Sequence, residues 1–296
     1  MLSKQLDQCL LNLAWSLWTE LGVSGVKRKH ADVLILLEEL VLFTAVLADV
    51  DPRLRDESLD WCSKYHRFIS ISRLRSLMKD LGTLVVEPYS KYAVTLNSIS
   101  QANWPMLVEA KPWKVTLSDK SVLRPHASSA LLSVRSRGIF GAGARADLIT
   151  FFLVHPHSDF SIAETVEIGY SKRNLAEILD DFHSGGLFTR FMQGNQRRYR
   201  LDGNLLGVLK PIPTQAPEWR HIFKVLLTLR DCIARTERSS ESTKVVEIRN
   251  CLGDLERSLQ RLGVTPPGFT NNFGGYIEAF SEWVTGWADR LAAGKE

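Results

Sequence analysis

The sequence predicts a mainly α-helical protein, and three observations carry that expectation. Apolar residues recur at three- and four-residue spacing through much of the chain, as in Leu6, Leu10, Leu13, Leu17 and Leu21. Glycine and proline fall at the ends of such stretches, as at Gly22, Pro156 and Gly169. Between Gly138 and Leu201, three short amphipathic segments precede a Gly-Asn-Gln-Arg-Arg-Tyr-Arg ribbon, the order of a winged helix-turn-helix.

The first 126 residues read as an N-terminal helical domain with small β elements. Residues 3–21 form an amphipathic helix flanked by Trp15 and Trp18, and a basic link from Val26 to His30 follows, either a solvated loop or a DNA-binding arm. Helices are expected over 38–48, 52–66 (with Pro52 in the first turn) and 72–81. That triplet reads either as plain helices or as a second, degenerate helix-turn-helix with Arg73, Arg75 and Lys79 outward. Runs at 83–87, 92–96 and 113–117, separated by Pro88, Pro105 and Pro112, are β-like and would supply a wing or a small sheet.

Residues 127–207 carry the winged unit. Its first helix, 144–154, repeats Leu148, Ile149, Phe152 and Leu153 at helical spacing. Ser161 and Glu164 make a capping box for the second, 162–168. Ser171 caps the third, whose Leu175, Ile178, Leu179 and Phe182 form one buried stripe, with Gly185 and Gly186 supplying a positive-φ end. Strands are expected over 187–192 and 197–201, joined by a turn at 193–196.

Charge placement gives this unit its direction. Lys172, Arg173 and Asn174 stand in the first turn of the third helix, whereas Glu177, Asp180 and Asp181 lie towards its far end and leave it net acidic. Arg190, Arg197, Arg198 and Arg200 sit on the ribbon with no carboxylate between them, which suits phosphate or minor-groove contact. The alternative is a solvated hairpin on a protein-packing module. Residues Ser171, Lys172, Arg173, Asn174, Arg190, Asn195, Gln196, Arg197, Arg198, Tyr199 and Arg200 are therefore the candidate DNA contacts.

Residues 208–296 read as a C-terminal helical domain. Pro211, Pro213 and Pro217 punctuate a linker before helices at 218–236 and 241–262, and a last helix spans 275–292 with Tyr276, Phe280, Trp283 and Trp287. Val245, Ile248, Leu252, Leu255, Leu259 and Leu262 form a near-heptad stripe, either a dimer contact or internal core against Ile222, Val225, Leu226 and Leu229.

The strings Arg137 to Leu148, Ser171 to Asn174 and Gly194 to Arg200 resemble MarR/ArsR-like winged-helix regulators of bacteria and archaea, in particular those encoded beside, or fused to, toxin–antitoxin nucleotidyltransferases. The resemblance covers about a fifth of the chain. It implies sequence-specific binding to double-stranded DNA, repression or autoregulation, and a homodimer; it also admits an antitoxin-like module packed on a nucleotidyltransferase-type toxin.

Composition and motifs bound the rest. With 45% hydrophobic residues and a net charge of +4, the chain is neither disordered nor strongly basic. Cys9, Cys62, Cys232 and Cys251 are scattered without a Cys-x-x-Cys pair and read as reduced core residues. Asn12 interrupts the first apolar run and Glu38 and Glu39 the strongest one, so neither a signal peptide nor a membrane span is expected, and the expected setting is cytoplasmic. Gly141 to Ala146 matches the spacing of a dinucleotide fingerprint without a hydrophobic strand before it. His155, His157 and Asp159 offer a metal-ligand run, and Asp49 and Asp51 a carboxylate pair without the Gly-Ser turn of a nucleotidyltransferase. No P-loop, zinc motif or nucleophile–base set is present, so neither enzyme activity nor a cofactor is expected.

Overall fold

A computed structural model describes residues 2–25, 28–156, 158–202 and 206–295. Among the described residues the protein is mainly helical, with one small antiparallel sheet. Five helices come first: α1 (Leu2–Glu20), α2 (Leu37–Leu47), α3 (Pro52–Tyr65), α4 (Ile71–Leu81) and α5 (Thr83–Ile99). Their starts follow from local chemistry. Asp51 caps α3 by accepting from the N–H groups of Arg53 and Leu54, with Pro52 at a position that needs no amide hydrogen, and Ser70 caps α4.

The segment expected to be β is where propensity fails. Residues 83–87 and 92–96 lie in α5, because Val85, Tyr89, Tyr92, Ala93 and Leu96 form a helical stripe that is buried against α2 and α3. Tertiary burial outweighs the preference of Val, Thr and Tyr for strands. Pro88 sits early in the helix and forfeits only the bond to the Leu84 carbonyl. Residues 113–117 form no strand either; side chains of preceding helices hold that stretch, with Trp113 N–H on Thr95 Oγ1 (3.0 Å) and Thr116 N–H on Asp56 (3.1 Å). The triplet at 38–81 is thus followed by a helix and not by a wing. Arg75 and Lys79 of α4 are exposed, but Arg73, expected outward, is buried among carboxylates.

The central segment comprises α6 (Leu132–Phe140), α7 (Ala144–Val154), β1 (Phe160–Ser161), α8 (Ile162–Thr165) with a 3-10 turn at Val166–Ile168, α9 (Lys172–Ser184), β2 (Phe188–Gln193), β3 (Gln196–Leu201) and α10 (Leu206–Leu209). The capping box of Ser161 and Glu164 is formed, and Ser171 caps α9. Of the two glycines after α9, only Gly186 has positive φ (77°); Gly185 stays at −80°. The sheet order is β1-β3-β2, with Arg190 opposite Tyr199 and Phe191 opposite Arg198. Leu148, Ile149, Phe152, Leu175, Leu179, Phe182, Phe188 and Tyr199 bury a core of their own.

Four helices complete the chain: α11 (Trp219–Thr236), α12 (Glu241–Asp254), α13 (Glu256–Leu262) and α14 (Phe273–Ala292). The single helix expected over 241–262 is broken at Leu255. Its stripe is internal: Val245, Ile248, Leu255 and Leu259 are buried against α11 within the same chain, which removes it as a dimer contact. These helices and α1–α5 share one core, with α1 packed along α14 and Phe43 of α2 stacked on Phe223 of α11 at 4.1 Å. All four cysteines are buried and unpaired. Among the described residues, no helix is long and apolar enough to cross a membrane.

Candidate functional site

The third helix of the central unit is amphipathic to its last turn, so one apolar stripe anchors it and its polar residues take the other side. In α9, Leu175, Ile178, Leu179 and Phe182 are buried, whereas Ser171, Lys172, Arg173 and Asn174 are all exposed. The first turn of the helix therefore has no packing of its own before Leu175. Lys172 has no ion pair among the described residues, and Arg173 reaches back to Glu177 at 2.9 Å, an exposed i,i+4 pair. Beside this turn, the N-terminal turns of α7 and α9 line a concavity of about 640 Å³, walled by Gly141 to Arg145, Gly169 to Ser171 and Asn174.

Strand alternation divides the hairpin arginines between two aspartates. On one face, Arg190 (3.0 Å), Arg197 (3.4 Å) and the hydroxyl of Tyr199 (2.8 Å) all donate to Asp180 of α9. On the other, Arg198 donates to the carboxylate and carbonyl of Asp159, and Arg200 to the same carboxylate at 3.1 Å. Arg198 also approaches Glu164 at 3.3 Å, and Arg200 covers the ring of Phe191. The ribbon is free of carboxylates in sequence, as expected, but not in space. Partial burial pushes Asp180 up, yet the hydrogen bonds of Tyr199 and Arg190 outweigh it and hold its carboxyl below the usual range. Hydrogen bonds from Arg198 and Arg200 do the same for Asp159.

These pairs differ in strength. The arginines Arg190, Arg197 and Arg200 are exposed, so solvent screens their pairs and each contributes little. The Arg198 side chain is 17% exposed and multiply bonded, a strut between β3 and the lead-in to α8. Tyr199 is fully buried and supports the hairpin from inside. Asn195 and Gln196 are exposed at the tip next to Met192, also exposed.

Behind α9 lies a buried charge network that sequence reading did not assemble. Arg137 of α6 is fully buried and donates to both oxygens of Glu38 (2.7 and 2.9 Å), to Asp147 (3.0 and 2.8 Å) and to the Phe68 carbonyl (2.7 Å). Arg73 of α4 pairs with Glu39 and stands 3.5 Å from Asp147. Burial pushes Glu38 up, despite the opposing charge of Arg137, and Asp147 lies low because both guanidiniums overcome its burial. The signal was available: Glu38, Glu39 and Asp147 each interrupt an apolar run.

The other candidate chemistry finds different uses. Asp51 caps α3, and Asp49 accepts from Trp113 Nε1 (2.8 Å) and faces Lys91 (3.4 Å), so this pair holds structure. α6, not a strand, precedes Gly141, so the fingerprint lacks its βαβ setting. His157 lies outside the described residues, His155 bonds the Phe151 carbonyl, and among the described residues no cluster of three metal-ligating side chains occurs. Compared with known proteins, the chain matches no family model, no curated protein and no solved structure.

Proposed function

We propose that residues 127–207 form a winged helix-turn-helix and that the protein is a sequence-specific DNA-binding transcriptional regulator, a repressor or autoregulator. The observation that carries this reading is the exposed first turn of α9 beside an arginine-bearing hairpin, with the rest of α9 anchored. In such a unit Arg173 and Asn174 read base edges in the major groove. Lys172, Arg190, Arg197 and Arg200 hold phosphates, Asn195 and Gln196 meet the adjacent groove, and Arg198 and Tyr199 brace the wing. The concavity suits one further backbone phosphate, since the N-terminal residues of both α7 and α9 line it. A unit of this size reads few base pairs, so a homodimer on a palindrome is part of the proposal, with a contact other than the α12–α13 stripe.

Fluorescence anisotropy with duplex DNA tests it. The logarithm of affinity should fall linearly with the logarithm of salt, with a slope of about −0.9 per phosphate neutralised. Arg197→Ala should flatten that slope by about one. Binding without salt dependence, or a slope indifferent to Arg197, removes the hairpin from the reading.

A second reading has its own observation. Arg173, Arg190, Arg197, Arg198 and Arg200 each already face a carboxylate, as a surface of alternating charge does when its partner is a protein. The resemblance names a nucleotidyltransferase-type toxin as that partner. Co-purification with such an enzyme that survives excess duplex DNA, with no binding of the protein to DNA itself, selects this reading over the first.

A further inference from the structure

Three features offer an inference: the concavity beside α7, the two aspartates that hold the hairpin, and the buried network behind α9. The network reaches furthest, because it touches the chain immediately before Ser171. The Tyr170 hydroxyl donates to Asp147 of α7 at 2.8 Å and lies 3.1 Å from the Ser70 hydroxyl of α4. Burial and the neighbouring carboxylate push its pKa up, so the phenol keeps its proton and acts as the donor. Two residues earlier, the Ile168 carbonyl accepts from Arg73 of α4. Gly169 between them is left-handed (φ 101°), and a Cβ there would meet Ser76 Oγ and Arg73 Cγ of the same helix. Thus every residue of the turn 168–170 is held or bordered by α4.

We propose that α4 is the seat of the DNA-reading end of α9 and that Tyr170 is its positioning residue, with Arg73 and Ser70 as its supports. The inference rests on the reading of α9 as the groove-facing helix. Its physical basis is leverage. The four residues from Ser171 to Asn174 are exposed, so their orientation is set by what precedes them and by the stripe that starts at Leu175. Tyr170 fixes the upstream side, and it does so through bonds to two different helices. Asp147 does not depend on it, because Arg137 holds that carboxylate from behind. Removing the phenolic oxygen should therefore loosen the turn without dismantling the network. The helical body, through α4, then governs how sharply the protein distinguishes one base pair from another, while the hairpin arginines set how tightly it holds any duplex.

Tyr170→Phe keeps the ring and deletes both bonds; Ser70→Ala deletes the link between Tyr170 and Ser70 together with the side-chain cap of α4. Hydrogen exchange should quicken at the amides of 172–175 by about three- to tenfold in Tyr170→Phe, from the loss of one well-made hydrogen bond, with α7 unchanged. Anisotropy against a selected duplex and a scrambled one should show their affinity ratio falling by a similar factor, about three- to tenfold, at an unchanged salt slope. Ser70→Ala should move both readouts in the same direction by less, and keeps the test open if Tyr170→Phe does not fold. An unchanged affinity ratio in a folded variant overturns the proposal even where exchange quickens, because a merely structural bond would do that. Wild-type exchange rates in both variants overturn it as well. A wild-type protein that binds no duplex defeats the DNA reading instead, and the exchange measurement alone then decides whether Tyr170 orders the first turn of α9.

Discussion

Replacing Arg137 by Met tests whether the network is bound together electrostatically or merely packed. Met occupies similar space, so the cavity contribution is small and the loss is one of charge pairing. Five hydrogen bonds disappear, four of them to carboxylates. Among the described residues, Glu38, Glu39 and Asp147 are then left with Arg73 as the one nearby guanidinium, 3.6 Å from Glu38 and 3.5 Å from Asp147. Breaking a buried pair from one side costs about 3–5 kcal/mol, against a typical total stability of about 5–15 kcal/mol. The sign of the pH dependence follows. In the native protein Asp147 lies low, so its contribution is present above the unfolded carboxyl pKa and is lost as pH falls through the folded one. Glu38 already lies above its unfolded value in the native protein and rises further in the variant, and Asp147 rises with it, so the folded state gains protons relative to the unfolded state as pH drops. The deficit should therefore be largest at pH 7 and narrow towards pH 5. Equilibrium urea unfolding followed by circular dichroism at the two pH values reads it. A loss under about 1 kcal/mol at pH 7, or a deficit that widens in acid, would refute the reasoning.

Two further outcomes are expected. Asp180→Asn removes one negative charge from beneath Arg190 and Arg197 while leaving an acceptor for Tyr199, so affinity for random duplex should rise by up to about tenfold at low salt and the salt slope should steepen by about one; weaker binding in anisotropy would show that Asp180 positions these arginines and does not restrain them. His30 is buried with Nε2 donating to the Leu291 carbonyl (2.8 Å) and Nδ1 accepting from Ser16 (2.7 Å), and burial lowers its pKa. Its contribution to stability is complete above the unfolded histidine pKa of about 6.5 and declines as pH falls below it; melting curves between pH 7.5 and 5 should drop more steeply for wild type than for His30→Gln, and parallel curves would exclude His30 as the cause.

The elements readable from sequence were those whose ends carry their own chemistry. Ser161 with Glu164, Ser171, Pro52 and Gly169 mark boundaries through local bonds, so α3, α7, α8 and α9 fall where spacing places them. α5 was lost because its residues favour strands one by one, while the buried stripe of Val85, Tyr89, Tyr92 and Leu96 exists only against α2 and α3. The stripe of α12 and α13 was legible as apolar, but an apolar face does not name its partner, and α11 of the same chain covers it. At the candidate site the exposed turn and the hairpin were legible. The carboxylates facing the arginines were not, since Asp159 lies far from Arg198 and Arg200 in sequence and Asp180 counts as distant along α9 while strand alternation brings it under Arg190 and Arg197.

The packing of α1 along α14 has a consequence for how the molecule is made. Leu10, Leu13 and Leu17 share a core with Phe280, Val284, Trp287 and Leu291, so the body is closed by the two helices most distant along the chain. During synthesis α1 emerges early, and the part of its apolar stripe that faces α14 stays uncovered until α14 has left the ribosome, while α2 and α11 cover the rest. The central unit has its own core and no such delay. Its core does not wait for α14, whereas the body that holds Tyr170 and Asp147 is closed only when α14 docks. Shortening the chain through α14 would strip the cover from α1 and so loosen the body, far from the helix that the body holds in place.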